Sequence, residues 1–158
     1  MSQWHDPVIW AALKDGSACP VCFRGRPLDV VWELEAAWVT MTERAPMRGY
    51  ACLVSKVHVV ELHDFTEREG AAFLRDAQRL SRAIATATSA MKLNDEIDGN
   101  ILPHLHMHMF PRYRGDPFEG GPINPRAFTG PVYAEGEFAA LCRQVTDLLM
   151  TNGTHALR

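Results

Sequence analysis

Residues 100–112 read NILPHLHMHMFPR, and within them His104-Leu105-His106-Met107-His108-Met109-Phe110 decides the architecture. Imidazole and apolar side chains alternate strictly, and a two-residue period belongs to a β-strand. Leu105, Met107 and Met109 give an apolar face that packs on a core, while His104, His106 and His108 share the opposite face. Successive histidines on that face stand about 7 Å apart along the strand. Three arrangements fit such a row. The histidines lie exposed on an open sheet, or all three hold one metal, or the roles divide around a central nucleophile. A metal site built from this strand alone is strained. Its outer pair start about 13 Å apart and must each come within about 2 Å of one ion. The divided arrangement supplies what attack on phosphorus needs: a nucleophilic imidazole, a neighbour that fixes its tautomer, and donors for the phosphate oxygens.

Outward from this strand the pattern changes period. From Thr66 to about Met91, Phe73, Ala77, Leu80, Ile84 and Ala87 recur at spacings of three and four, which predicts an amphipathic helix. Thr66 and Glu69 supply its capping box. Downstream, Phe138, Leu141, Val145, Leu148 and Leu149 predict a second helix over about 136–150, and the tail MTNGTHALR (150–158) reads as loose. Upstream, the apolar runs Val30–Glu35, Ala37–Thr42 and Tyr50–Ser55 predict three strands. Asp6 as N-cap and Pro7 at the first turn open a short helix ending at Lys14. Strands grouped ahead of a long helix indicate an α+β fold with a mostly antiparallel sheet.

The bulk properties narrow the classes. At 158 residues, 47% hydrophobic and 22% charged, the chain matches one soluble globular domain without repeats or linkers. A formal charge of −3 gives no footprint for long nucleic acid or an anionic membrane, although a small phosphorylated ligand remains compatible. No apolar run approaches a membrane span, and MSQWHDPVIW lacks a signal-peptide pattern, so a cytoplasmic location is expected. Cysteines there are seldom paired. Cys52 and Cys142 sit in apolar surroundings and read as core. Cys19-Pro-Val-Cys22 has the spacing of half a zinc site; a redox dithiol is the alternative, but no thioredoxin-like context surrounds it.

His104 to Phe110 matches H-φ-H-φ-H-φ-φ, with φ apolar, and so resembles the histidine triad (HIT) family. Pro111-Arg112-Tyr113, the segment GYACLVSKVH (49–58) and the C-x-x-C pair extend the likeness over about residues 17–126. The stretch LNDEIDGNILPHLHMHMFPRYRGDP (93–117) resembles the branch of diadenosine polyphosphate hydrolases. The resemblance implies a HIT-like fold: a five-stranded, mostly antiparallel sheet with one long and one C-terminal helix. It implies nucleotide hydrolysis, or nucleotidyl transfer, with His106 as the nucleophile at the α-phosphate and His108 beside it. Asn100 and Asn94 take the place of polar residues near the phosphate, and Thr42 lies near a ribose contact. Gly99-Asn100 also fits a plain turn, and Asn94 a strand end. A structural zinc would be held by Cys19, Cys22, His58 and His104, with His63 the weaker substitute. A homodimer with a continuous ten-stranded sheet is also implied.

Three positions depart from the family pattern. Ile101 stands where members often carry Ser or Thr, Thr42 where they often carry Asp, and Asp95, Glu96 and Asp98 bring negative charge near the phosphate. Arg112 and Arg114 offset that charge or are simply exposed. These departures leave open a slow nucleotide-binding module, or a pathway-specific enzyme with changed chemistry.

Overall fold

The computed structural model describes residues 3–127 and 130–151; most of the C-terminal tail, from Asn152, lies outside the described residues. In chain order the elements are α1 (Pro7–Lys14), α2 (Pro20–Arg24), β1 (Val30–Glu33), β2 (Ala37–Thr40), β3 (Ala51–Ser55), α3 (Glu67–Thr88), β4 (Lys92–Glu96), β5 (His106–Arg112) and α4 (Glu137–Thr151). The strands form one antiparallel sheet in the order β1-β2-β3-β5-β4. This is the α+β, HIT-like architecture expected: five antiparallel strands, one long helix and one C-terminal helix.

The apolar face of the sheet carries the core. Val39, Leu53, Met107 and Met109 meet Phe73, Leu80 and Ile84 of α3, and Leu141, Val145 and Leu149 of α4 join the same cluster. The Thr66–Glu69 capping box forms, and α3 stops at Thr88 because Ser89 turns into the left-handed region, short of the expected Met91. Asp76 is buried on α3 and accepts the Ala36 N–H at 2.7 Å, which fixes the β1–β2 turn against the helix. At Gly49, ahead of β3, φ is +80° and a Cβ would sit 2.4 Å from Thr88 Cγ2, so only glycine lets the chain pass the end of α3.

Two differences from the sequence pattern bear on the site. β4 was not apparent from periodicity, because LysLeuAsnAspGlu offers one apolar side chain and is a polar edge strand. β5 begins at His106 rather than His104. The regular ladder ends there: Ser55 N–H still donates in register to the Leu105 carbonyl at 3.0 Å, but Leu105 N–H goes to the Val59 carbonyl at 2.7 Å, and the Ser55 carbonyl accepts from His104 Nε2 instead. His104 is buried. Among the described residues no helix is long and apolar enough to cross a membrane.

Candidate functional site

The three histidine side chains have different partners, and the row divides at the head of β5. On one side, His104 converges with His58, Cys19 and Cys22, whose ligand atoms all lie within 4.8 Å of one another. Cys19 is the residue ahead of the single-turn helix α2 and Cys22 lies within it, so the turn aims both sulfurs the same way. Cys19 Sγ is 3.4 Å from His104 Nδ1, Cys22 Sγ is 3.3 Å from His58 Nδ1, and the two Nδ1 atoms are 3.1 Å apart. Ligands on one tetrahedral ion, at about 2.0 Å for nitrogen and 2.3 Å for sulfur, stand roughly 3.3–3.8 Å from each other.

The outer nitrogens settle the tautomers. His58 Nε2 donates to the Lys14 carbonyl at 2.9 Å, and His104 Nε2 donates to the Ser55 carbonyl at 2.8 Å. Carbonyls only accept, so in the neutral rings both Nδ1 atoms are bare and face each other. Two lone pairs at that distance repel unless a cation lies between them. Backbone carbonyls holding the distal N–H are also the usual support for a metal-bound imidazole. The donor set fits a soft divalent ion in closed coordination. His63, the alternative ligand, is outside this cluster and lies beside Asp64 on the surface.

Along β5, His106 and His108 line a cleft of about 490 Å³ with Val21, Val54, Asp98, Asn100 and Ile101. The register places Val54 beside His106 and Cys52 beside His108, so β3 forms the floor. His106 Nδ1 donates to the His104 carbonyl at 2.7 Å, leaving Nε2 with its lone pair. The ring stands nearly perpendicular to His108, with centroids 4.7 Å apart. Burial, and then the neighbouring His106, push the His108 pKa down to about 4, which keeps this ring neutral near pH 7. Its Nδ1 lies 2.7 Å from the Tyr50 hydroxyl, and burial raises the Tyr50 pKa, so the phenol keeps its proton. With Tyr50 donating, the His108 proton resides on Nε2. Cys52 in the floor is an inert thiol, its pKa pushed up to about 12 by burial.

The remaining candidates are dispersed. Asn100 lines the cleft and Asp98 lies beside it, whereas Thr42 falls beyond β2 and outside the lining. Asn94 is on the histidine face, opposite Phe110, but its carbonyl oxygen accepts from Arg112 at 2.6 Å. Arg112 is buried rather than exposed and makes a two-point contact with Asp116, both bonds at 2.9 Å. Further bonds run to the carbonyls of Phe118 and Gly121. That guanidinium organises the loop after β5 and is not among the groups lining the histidine cleft. Neither Lys nor Arg lines it among the described residues. Tyr50 escaped the sequence reading, although YACLVS alternates so that Tyr50, Cys52 and Val54 share one face.

Comparison with known proteins agrees with this layout. The HIT domain family matches residues 24–115. Protein hit of Bacillus subtilis (strain 168) is 26% identical over 106 residues, covering 63% of this chain and 73% of its own length. A histidine triad protein of Bradyrhizobium japonicum superposes with a TM-score of 0.67 at 24% identity, over 76% of this chain and 89% of that one. A Zn-bound histidine triad family protein of Mycobacterium smegmatis gives a TM-score of 0.63 at 21% identity, over 89% and 99%. These structural likenesses bear on the fold. The sequence match extends over more than half of the residues and includes the whole histidine row, and on that ground the chain belongs to the HIT domain family.

Proposed function

We propose that this protein takes a nucleotidyl group from a small nucleotide substrate onto His106 Nε2 and hands it to water. The observation that carries the reading is the His106 Nδ1–H bond to the His104 carbonyl, which directs the free lone pair of Nε2 for attack. Nε2 forms a bond to the α-phosphorus as the bond to the leaving group breaks and its electron pair departs with that group. Ile101 has no proton to give, so the leaving group takes one from solvent. The substituted imidazole is cationic, and its Nδ1–H remains on the His104 carbonyl. Water then attacks phosphorus, the P–N bond returns its pair to Nε2, and a nucleoside monophosphate leaves as the water proton passes to solvent. His108 Nε2–H and the Asn100 amide serve the phosphate oxygens. Asn94 and Thr42 have no direct part in these steps.

Dinucleoside polyphosphates, nucleoside phosphoramidates and acyl adenylates all fit this chemistry. We take the metal to be zinc, held by Cys19, Cys22, His58 and His104; four protein ligands close its coordination, and it supplies rigidity. The Zn-bound Mycobacterium smegmatis protein supports that identity. Homodimerisation belongs to the same proposal, since β4 is an edge strand that a second copy would extend.

The test is intact-mass analysis after incubation with these substrates and quenching in denaturant. A monophosphate adduct on the wild type that is absent from His106→Ala is expected. Ile101 and a cleft lining without Lys or Arg among the described residues favour a second reading, a binding module without turnover. Tight monophosphate binding with neither adduct nor released product would establish that reading and remove the first.

A further inference from the structure

We propose that Cys19 and Cys22 form a thiol-redox switch: peroxide joins them as a disulfide, expels the metal and weakens nucleotide binding in the adjoining cleft. The inference rests on the metal and nucleotide-binding readings above, and not on the covalent step at His106. The ligand cluster is shut in on three corners and open at the fourth. Cys19 and His104 are 0% and 2% exposed and His58 is half-buried, whereas Cys22 is exposed, alone among the four cysteines. Cys52 is buried in the cleft floor, and Cys142, on α4, packs against the apolar core. An oxidant arriving from solvent therefore meets the Cys22 sulfur first. A thiolate held on a metal is already ionised, and the ionised form is the nucleophile.

The second sulfur stands where a disulfide needs it. Cys19 precedes α2 and its carbonyl accepts the Phe23 N–H at 3.0 Å, so one helical turn separates the two cysteines. A turn spaces their Cα atoms by about 5 Å, inside the window of about 4.4–6.8 Å that a disulfide spans. Their sulfurs already lie within 4.8 Å of each other. Cys22 Sγ attacks one peroxide oxygen, the O–O bond breaks, and hydroxide departs to leave a sulfenic acid. Cys19 Sγ then attacks the Cys22 sulfur, the S–O bond breaks, and a second hydroxide leaves. Two protons from solvent turn both hydroxides into water. Two electrons have passed from the sulfurs to peroxide, and only His58 and His104 remain of a four-ligand set.

The same turn carries the change to the cleft. Val21 lies between the two cysteines, is 6% exposed, and lines the nucleotide cleft together with Pro27 and His104. It also packs in one apolar cluster with Cys19 and with Cys52 and Val54 of the floor. Drawing the sulfurs to bonding distance moves the turn that presents Val21. Loss of the metal frees the His104 ring, and the carbonyl of that residue orients His106.

The test follows zinc, thiols and affinity together. Reduced, zinc-loaded protein is analysed for metal and for AMP binding by calorimetry, then treated with hydrogen peroxide. One zinc is expected to pass to a chromogenic chelator as peptide mapping finds a Cys19–Cys22 disulfide, with Cys142 still a thiol. AMP affinity should fall about tenfold, and dithiothreitol with added zinc should restore it. Cys22→His keeps four ligands without the second thiol, and peroxide should release no zinc from it. Zinc retained by the wild type under peroxide, a disulfide formed with AMP affinity unchanged, or equal zinc loss from Cys22→His would each overturn the switch. Failure of the underlying readings is seen before peroxide is added: a reduced protein without zinc removes the metal reading, one that binds no AMP removes the nucleotide reading, and either removes the switch.

Discussion

His104, His106 and His108 have one side chain and three tasks, and the second nitrogen of each ring sets the difference. His106 donates its Nδ1–H to a carbonyl, which leaves Nε2 with a lone pair, whereas His108 faces a phenol, which leaves its Nε2 as a donor. Tyr50→Phe removes only the hydroxyl, since the ring keeps its contact with Phe110 at 5.0 Å. Loss of one such hydrogen bond is worth about 1 kcal/mol, so kcat should fall by roughly fivefold to tenfold with stability little changed. Unchanged steady-state kinetics would show that Tyr50 does not set the His108 tautomer. The depressed His108 pKa also makes a stability prediction. Between about 6.5 and 4 the unfolded chain binds a proton that the folded chain refuses, so stability declines as pH falls through that window. The difference amounts to about 3 kcal/mol at most. Urea titrations of wild type and His108→Gln at several pH values should converge once the wild type alone has lost this increment. Parallel curves would contradict it.

At the scale of elements, the loop after β5 hangs on one buried ion pair. Arg112 lowers the Asp116 pKa to about 2, and the Tyr113 and Phe118 amides also donate to that carboxylate. Asp116→Ala leaves a guanidinium without its partner and is expected to cost about 2–3 kcal/mol by urea unfolding. A loss below 0.5 kcal/mol, roughly the level of an exposed pair, would reject this role. In the wild type the pair contributes fully above about pH 4 and is lost as the pH falls toward 2. This clamp was illegible in the sequence because ProArgTyrArg reads equally well as an exposed basic turn; only the fold-back of residues 113–121 buries Arg112. The long helix was legible, since a capping box and an apolar stripe are local signals. So was the alternation of the triad. The end of the ladder at Leu105 was not, because it depends on the Leu105 N–H bonding to Val59, a contact between segments far apart in sequence. Cys19 and Cys22 announced half a metal site by spacing, but only the fold brings His58 and His104 to them.

Across the whole molecule, His104 joins the metal cluster to the chemistry. Its ring faces His58 and the two cysteines, while its backbone carbonyl accepts the Nδ1–H of His106, the nucleophile we propose. His58 in turn reaches α1 through the Lys14 carbonyl, which accepts its Nε2–H. One cluster therefore ties the N-terminal helix, the α2 turn and the head of β5 together, while α3 and α4 are held by the apolar core, which Val59 and Leu105 border from the other side. Removing the metal should loosen the first group and spare the second, because ligands facing one another without a cation repel and structural metal binding is folding free energy. Metal analysis of protein purified without added zinc is expected to find one equivalent in the wild type and little in Cys22→Ser. Hydrogen exchange on that variant should then accelerate, by about tenfold or more, at residues 16–24, at 57–59 and at the amide of Leu105. The amides of Phe73, Leu80, Ile84, Val145 and Leu149 should keep their protection. Equal zinc in both proteins would remove Cys22 from the ligand set. Zinc loss with uniform acceleration would mean that the metal supports the entire fold, and that the division between a metal-held functional half and a self-sufficient core is wrong.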